Sequence, residues 1–98
     1  MKYVVYYRKN TQLREDPTLT KKDVMDLKKF APVCVIEAES LDEVFSKMQG
    51  EIWSPNGEAK PLIKALELSH TSMSVGDVAV LGNAVAEVAY IDWNQIKE

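Results

Sequence analysis

The residues that could carry out chemistry are concentrated in one polar segment, residues 69–77. It contains the single histidine of the chain, His70, together with Ser72, Ser74 and Asp77. A hydroxyl, an imidazole and a carboxylate are the groups of a nucleophilic triad, in which the histidine accepts the hydroxyl proton and the acid orients the histidine. No nucleophile-elbow pattern surrounds either serine, and residues this close in sequence rarely align as a triad. The segment therefore favours a hydrogen-bonded loop over a hydrolase site.

The composition gives little indication of a metal site or of a bound cofactor. Structural zinc sites combine several histidine and cysteine ligands at short spacings, whereas this chain has one of each, His70 and Cys34. Gly57, Gly76 and Gly82 are isolated, so no glycine-rich loop is present to hold a phosphate. We therefore predict no catalytic residue, no metal site and no cofactor.

Two loops offer groups for recognition instead. Trp53 begins the turn Trp-Ser-Pro-Asn-Gly, and an aromatic residue on a loop either contacts a partner or packs against the core edge. The predicted binding residues are Trp53, Asn56, His70, Thr71, Ser72 and Asp77. If the second loop serves only to bind, replacing both His70 and Ser72 with alanine leaves thermal stability nearly unchanged.

The charges are unevenly distributed along the chain. Residues 1–30 carry eight Lys/Arg and four Asp/Glu, whereas residues 31–98 carry four and eleven, for a net charge of −3. The first strand combines Tyr3, Tyr6 and Tyr7 with Arg8, and aromatic residues beside basic ones are typical of sheets that bind single-stranded nucleic acid. A nucleic-acid-binding module that uses the basic N-terminal third is therefore an alternative.

The size and cysteine content limit the class of protein. A chain of 98 residues holds one domain, and association into a homodimer would add buried area. A lone cysteine excludes an internal disulfide and fits a reducing compartment. No apolar run is long enough to cross a membrane or to form a signal peptide. We expect a cytoplasmic protein without membrane contact.

Residues 40–50 give the clearest helix signal. Ser40 and Glu43 form a capping box, and Leu41, Val44, Phe45 and Met48 follow at the spacing of one helical face. This face should turn inward and hold the serine-rich loop at the rim of the molecule. Gly50 stands where a helix ends with a left-handed residue.

The remaining elements follow from strand and turn signals. Strands are predicted at 2–8 and 32–38, helices at 20–30 and 58–68, and a hairpin at 78–81 and 85–91 around Gly82-Asn83. The tail after Asp92 would form a short helical turn. We predict a single α+β domain over residues 1–98. It has a mixed, mostly antiparallel sheet of about four strands, two to three helices packed on one face and a C-terminal β-hairpin.

Three segments together resemble a known group of sequences. They are residues 41–45 (Leu-Asp-Glu-Val-Phe), residues 53–59 and residues 70–78, with the core Ser-Met-Ser-Val-Gly-Asp-Val. The chain resembles small uncharacterised proteins of bacteria, phages and plasmids, and its last segment is similar to the YodL-like domain of mobile-element proteins. The resemblance implies a small accessory protein that binds a host or partner macromolecule, and it assigns no catalytic role to any residue.

Taken together, these features predict a non-enzymatic interaction protein, encoded by a phage or another mobile element, whose partner is a protein. A nucleic-acid-binding module is the first alternative. A small hydrolase or nucleotide-processing enzyme is the second alternative, and a hydroxyl and a carboxylate at hydrogen-bond distance from His70 would favour it.

Overall fold

The computed structural model describes residues 1–9, 19–90 and 92–96. Its strands are β1 (Lys2–Arg8), β2 (Phe30–Glu37), β3 (Val78–Leu81), β4 (Ala84–Val88) and β5 (Trp93–Ile96), and its helices are α1 (Lys21–Val24), α2 (Leu41–Lys47), α3 (Gly50–Trp53) and α4 (Lys60–Ala65). The strands form one sheet in the order β2-β1-β3-β4-β5. Each neighbouring pair is antiparallel. The predicted α+β class and single domain are confirmed, with five strands instead of about four.

Strand β1 lies inside the sheet because it pairs with β2 on one side and β3 on the other. Its side chains alternate between two covered faces, as the apolar residues on both faces indicated. Tyr3, Val5 and Tyr7 are buried on one face. Val4 and Tyr6 are half-buried on the other. The strand therefore connects the two cores of the domain.

The two faces of the sheet carry separate cores. The first is formed under α2, α3 and α4 by Tyr3, Val5, Tyr7, Val33, Ala38, Val44, Met48, Ala59, Ile63, Met73, Ala79 and Val88. The second lies beside α1 and contains Leu19, Val24, Phe30, Val78, Val85 and Ile96. Three helices thus cover one face as predicted, while the single turn α1 lies on the opposite face.

Helix α2 forms where the sequence predicts it, but only half of the predicted capping box is present, because Glu43 Oε1 accepts from the Glu39 amide and not from that of Ser40. The Ser40 hydroxyl accepts a hydrogen bond from the Glu43 amide at 3.2 Å. Val44 and Met48 are fully buried, and Leu41 and Phe45 pack at the edge of the first core. The prediction that Gly50 ends this helix is wrong, because α2 ends at Lys47 and Gly50 begins α3.

Two further differences have separate causes, one a pairing between distant segments and the other a local turn. The tail forms β5 instead of a helical turn, because Trp93 pairs with Val88 and Ile96 pairs with Val85. Ile96 is buried in the second core, so tertiary pairing outweighs local preference. Helix α1 ends at Val24 and not near Phe30, because the amides of Lys29 and Phe30 both bond to the Asp26 carbonyl.

The C-terminal hairpin is confirmed, with Gly82 and Asn83 between β3 and β4. Gly82 has a φ of +58°, which glycine adopts without strain. Strand β4 ends at Val88, three residues before the predicted boundary, where the Ala89 amide turns to bond the Asp92 carbonyl. Within the described ranges, no helix is long and apolar enough to span a membrane.

Candidate functional site

The Asp77 carboxylate connects the polar loop to the sheet. Its Oδ1 accepts from the Arg8 backbone amide at 2.9 Å, and its Oδ2 accepts from the Ser74 amide at 2.9 Å. His70 Nε2 lies 2.7 Å from the same Oδ2. Asp77 is fully buried, and a buried carboxylate is tolerated only where hydrogen bonds replace its water. Asp77 therefore fixes the loop against the end of β1.

The His70 ring is held on three sides. Besides its contact with Asp77, it stacks on the Tyr7 ring with 4.8 Å between centroids and 11° between planes. The Ser69 hydroxyl lies 3.4 Å from Nδ1. An ionised carboxylate can only accept, so with Asp77 in that form Nε2 is the donor in this contact. The imidazole remains 20% exposed, so one edge of the ring faces solvent.

Arg8 joins the loop to β4 through a buried ion pair. Its Nη2 donates to Glu87 Oε2 at 2.8 Å, and the two side chains are 7% and 0% exposed. Its Nε donates to the Gly76 carbonyl at 3.2 Å, and the guanidinium lies 4.9 Å from the centre of the Phe30 ring. Burial strengthens the attraction between the two charges but removes their hydration. Because a buried charge that loses its partner is costly, removal of either residue is strongly destabilising.

Tyr7 supports the loop from below. Its hydroxyl donates to the Thr71 carbonyl at 2.7 Å and lies 3.4 Å from the Met48 carbonyl. Burial raises the pKa of Tyr7 well above its ordinary value, and the charge of Asp77 raises it further. The phenol therefore stays protonated in the folded protein and remains a hydrogen-bond donor in mildly alkaline solution.

The raised pKa of Tyr7 makes the free energy of unfolding decrease with pH in alkaline solution. In the unfolded chain Tyr7 loses its proton near pH 10, whereas the folded chain keeps it. The unfolded state then binds fewer protons, so the stabilisation from this group is complete below about pH 10 and declines above it. Between pH 9 and 11 we expect the wild type to lose about 1 kcal/mol more unfolding free energy than Tyr7→Phe. Urea titrations at each pH measure this difference, and parallel pH curves for the two proteins would contradict it.

Helix α3 holds the outer part of the loop. The Gly50 amide donates to the Ser72 hydroxyl at 2.7 Å, and Trp53 Nε1 donates to the Thr71 carbonyl at 3.1 Å. A Cβ at position 50 would lie 3.1 Å from that hydroxyl oxygen. Glycine at the start of α3 is thus explained by close approach to Ser72, not by the helix-ending role that its position suggested.

The structure brings four of the six predicted binding residues together: Trp53, His70, Thr71 and Ser72 are connected by the contacts above. We call these four and the neighbouring Ile52 the rim surface. Ile52 lies in α3 and is 61% exposed.

The other two predicted binding residues do not join this group. Asn56 is exposed, and its amide donates to Glu58 Oε1 at 2.8 Å. Asp77 is fully buried, so in this conformation it offers no surface to a partner.

The internal roles of His70 and Ser72 change the expected result of their replacement. Ser72 accepts the Gly50 amide, and His70 contacts both Asp77 and Tyr7. Ser72→Ala would leave the Gly50 amide without its acceptor at a half-buried position, and His70→Ala would remove a hydrogen bond to the Asp77 carboxylate and the stacking on Tyr7. Both losses are destabilising. The structure therefore predicts lower stability for this double variant, in contrast to the expectation from sequence.

Sequence reasoning missed three residues that position the loop: Tyr7, Arg8 and Glu87. One signal was available. Glu87 stands in the apolar run Val-Ala-Glu-Val-Ala of a predicted strand, and a charged residue inside such a run requires a buried partner. The partner itself was not predictable, because Arg8 lies 79 positions away along the chain.

The N-terminal strand does not present the aromatic and basic surface suggested by its composition. Tyr3, Tyr7 and Arg8 are all buried, and Arg8 is paired with Glu87. These three side chains are therefore not positioned to stack on bases or to contact phosphates.

Among the described residues, no group of three or more His, Cys, Asp or Glu side chains is arranged to hold a metal ion. The chain matches no protein-family model, no curated protein and no solved structure. The resemblance to small proteins of bacteria, phages and plasmids, and that of residues 70–78 to the YodL-like domain, stay predictions.

Proposed function

We propose that this protein is a non-enzymatic, cytoplasmic interaction module that binds a partner protein through the rim surface. In this proposal it acts as an accessory factor of a phage or other mobile element. The observation that carries the proposal is the buried network of Tyr7, Arg8, Asp77 and Glu87 beneath the half-buried loop 69–77.

The network supports binding because it orders the loop before a partner arrives. Asp77 and Arg8 bond the backbone of the loop directly, at the Ser74 amide and the Gly76 carbonyl. Ordering loops and side chains at the moment of association opposes binding, and a loop that is already rigid avoids that loss.

The composition of the rim surface favours a protein partner. It combines the exposed Ile52 and the half-buried Trp53 with the polar groups of His70 and Thr71. Interfaces between proteins commonly have apolar and aromatic residues at the centre with polar groups around them. Nucleic-acid sites, in contrast, are rich in Lys and Arg, and the rim surface contains neither.

A capture experiment with matched variants tests the proposal. The full chain is immobilised, and proteins retained from a lysate of its source cells are quantified for the wild type, Ile52→Asp and Leu27→Asp. Leu27 is the control because it is 65% exposed and lies outside the rim surface. We expect one partner that the wild type and Leu27→Asp retain equally, with retention at least tenfold lower for Ile52→Asp.

Three outcomes would contradict the proposal. The first is equal retention by Ile52→Asp and the wild type, and the second is no retained protein above an unrelated control. The third is retention that disappears after nuclease treatment and declines steeply with salt, which would instead support the nucleic-acid alternative.

A second candidate, acyl transfer, has one specific observation in its favour. His70 lies between a carboxylate and a hydroxyl, with Asp77 Oδ2 2.7 Å from Nε2 and Ser69 Oγ 3.4 Å from Nδ1. The second distance exceeds the 2.6–3.2 Å over which a general base takes a proton, so we rank it below binding. A fluorophosphonate probe distinguishes the two: labelling that Ser69→Ala abolishes would support an enzyme, and no labelling would support the binding module.

A further inference from the structure

A groove lies between the start of α2 and strand β5, apart from the rim surface. It consists of two adjoining cavities of about 320 Å³ and 200 Å³. Both are lined by Asp42, Asp92 and Trp93, so they form two lobes of one depression. Ligand pockets typically measure about 300–1,000 Å³, so the groove has room for one side chain and its flanking backbone.

The floor of the groove is aromatic and is held in place. Trp93 lines both lobes, and Phe45 lines the smaller one. Trp93 Nε1 donates to Asp42 Oδ1 at 3.3 Å, and Trp93 also packs against the first core. The orientation of the indole is therefore set before any ligand arrives.

The charge of the groove is negative. Of the described residues that line it, Asp42 and Asp92 are charged, and both are exposed. Aromatic rings attract cations over their faces, and carboxylates form paired hydrogen bonds with a planar guanidinium. An arginine side chain can stack on an aromatic ring and bond a carboxylate at the same time, whereas the compact ammonium of lysine does this less well.

We propose that this groove binds an arginine side chain of a basic segment in a partner protein. The guanidinium lies against Trp93 between the carboxylates of Asp42 and Asp92. Charge complementarity favours this occupant, because the charged side chains among the described residues that line the groove, Asp42 and Asp92, are both acidic. The site is distinct from the rim surface, because no residue of the rim surface lines either lobe of the groove.

The two tryptophans provide a direct test. Only Trp53 and Trp93 carry indole N–H groups, one in the rim surface and one in the groove. Nuclear magnetic resonance spectra of the full chain follow both signals during titration with acetyl-Gly-Arg-Gly-amide. We expect a saturable shift of the Trp93 signal, no shift of the Trp53 signal, and at least tenfold weaker binding of the neutral citrulline analogue of the peptide.

Substitution of the two aspartates then tests whether their charges contribute to peptide binding. Asp42→Asn keeps an acceptor for Trp93, and Asp92→Asn keeps a residue type that tolerates the φ of +63° at this position. Each should weaken peptide binding at least fivefold, while Glu51→Gln, an exposed carboxylate in α3, should leave it unchanged. Comparison of the amide spectra with the wild type shows whether each variant keeps the fold.

Each of the following results would overturn the assignment. They are equal affinity for the arginine and citrulline peptides, tighter binding of spermidine than of the arginine peptide, and no saturable shift of the Trp93 signal at tens of millimolar peptide. Unchanged affinity in both folded asparagine variants would also overturn it. None of these results bears on the rim surface, because the capture experiment reports on Ile52.

Discussion

Replacing Glu87 with alanine should lower the free energy of unfolding by about 3–5 kcal/mol, the usual effect of breaking a buried ion pair. The substitution leaves the Arg8 guanidinium buried without the carboxylate that lies 2.8 Å from it. Domains of this size are stable by only about 5–15 kcal/mol, so this one change would remove much of the total. Urea unfolding monitored by circular dichroism measures the loss.

A double variant distinguishes the loss of stability caused by breaking the ion pair from the loss caused by poorer packing. Arg8→Met combined with Glu87→Leu replaces both charges with apolar side chains of similar volume, which is often neutral or stabilising. We expect the double variant to be at least about 2 kcal/mol more stable than Glu87→Ala. A double variant no more stable than the single one would mean that lost packing, and not loss of the contact between Arg8 and Glu87, explains the effect. If Glu87→Ala does not fold, Glu87→Gln gives a measurable intermediate.

Replacing Asp77 with alanine should lower the free energy of unfolding by about 3 kcal/mol or more. The change removes the acceptor for the Arg8 amide, the Ser74 amide and His70 Nε2. Removing one member of a buried hydrogen bond is destabilising by about 1–3 kcal/mol, and the Asp77 carboxylate takes part in one buried and two part-buried bonds to these groups. The loop should also lose its fixed conformation, so the rim surface would bind its partner less tightly even where the variant remains folded.

Amide hydrogen exchange makes this prediction specific. The amides of Arg8 and Ser74 should exchange faster in Asp77→Ala, because both donate to the missing carboxylate. Glu51→Ala is a suitable control, since Glu51 is exposed in α3 and surface substitutions usually change stability by less than about 0.5 kcal/mol. A loss below about 1 kcal/mol with unchanged exchange at these two amides would contradict the proposed role of Asp77.

Much of the fold follows from local patterns. The capping box and the spacing of Leu41, Val44, Phe45 and Met48 predict α2, because a helix brings those positions onto one face. Gly82-Asn83 predicts the hairpin, because a tight turn needs a positive φ. Apolar residues on both faces of β1 predict a strand inside the sheet. In each of these cases the determining groups lie within a few residues of one another.

Of the elements that were predicted wrongly, β5 depends on a distant partner and α1 is ended by a local turn. Residues 93–96 have no strong preference of their own, and they become β5 because the edge of β4 offers backbone groups to pair with. Helix α1 is one turn long because the Asp26 carbonyl receives the amides of Lys29 and Phe30. Neither outcome follows from hydrophobic periodicity, since a pairing edge or a closing turn leaves no periodic signal.

The same distinction between sequence patterns and tertiary contacts applies to the candidate surface. The sequence alone determined which residue types stand in the loop 69–77 and in the turn after α3, and four of the six predicted residues meet at the rim surface. Tertiary structure decided that Asp77 is buried and that Arg8 and Glu87 lie beneath the loop. It also decided that Asp42 and Trp93, 51 positions apart, form the floor of a groove. The physical reason is that burial and charge pairing act through space, so their energies depend on which segments the sheet brings together.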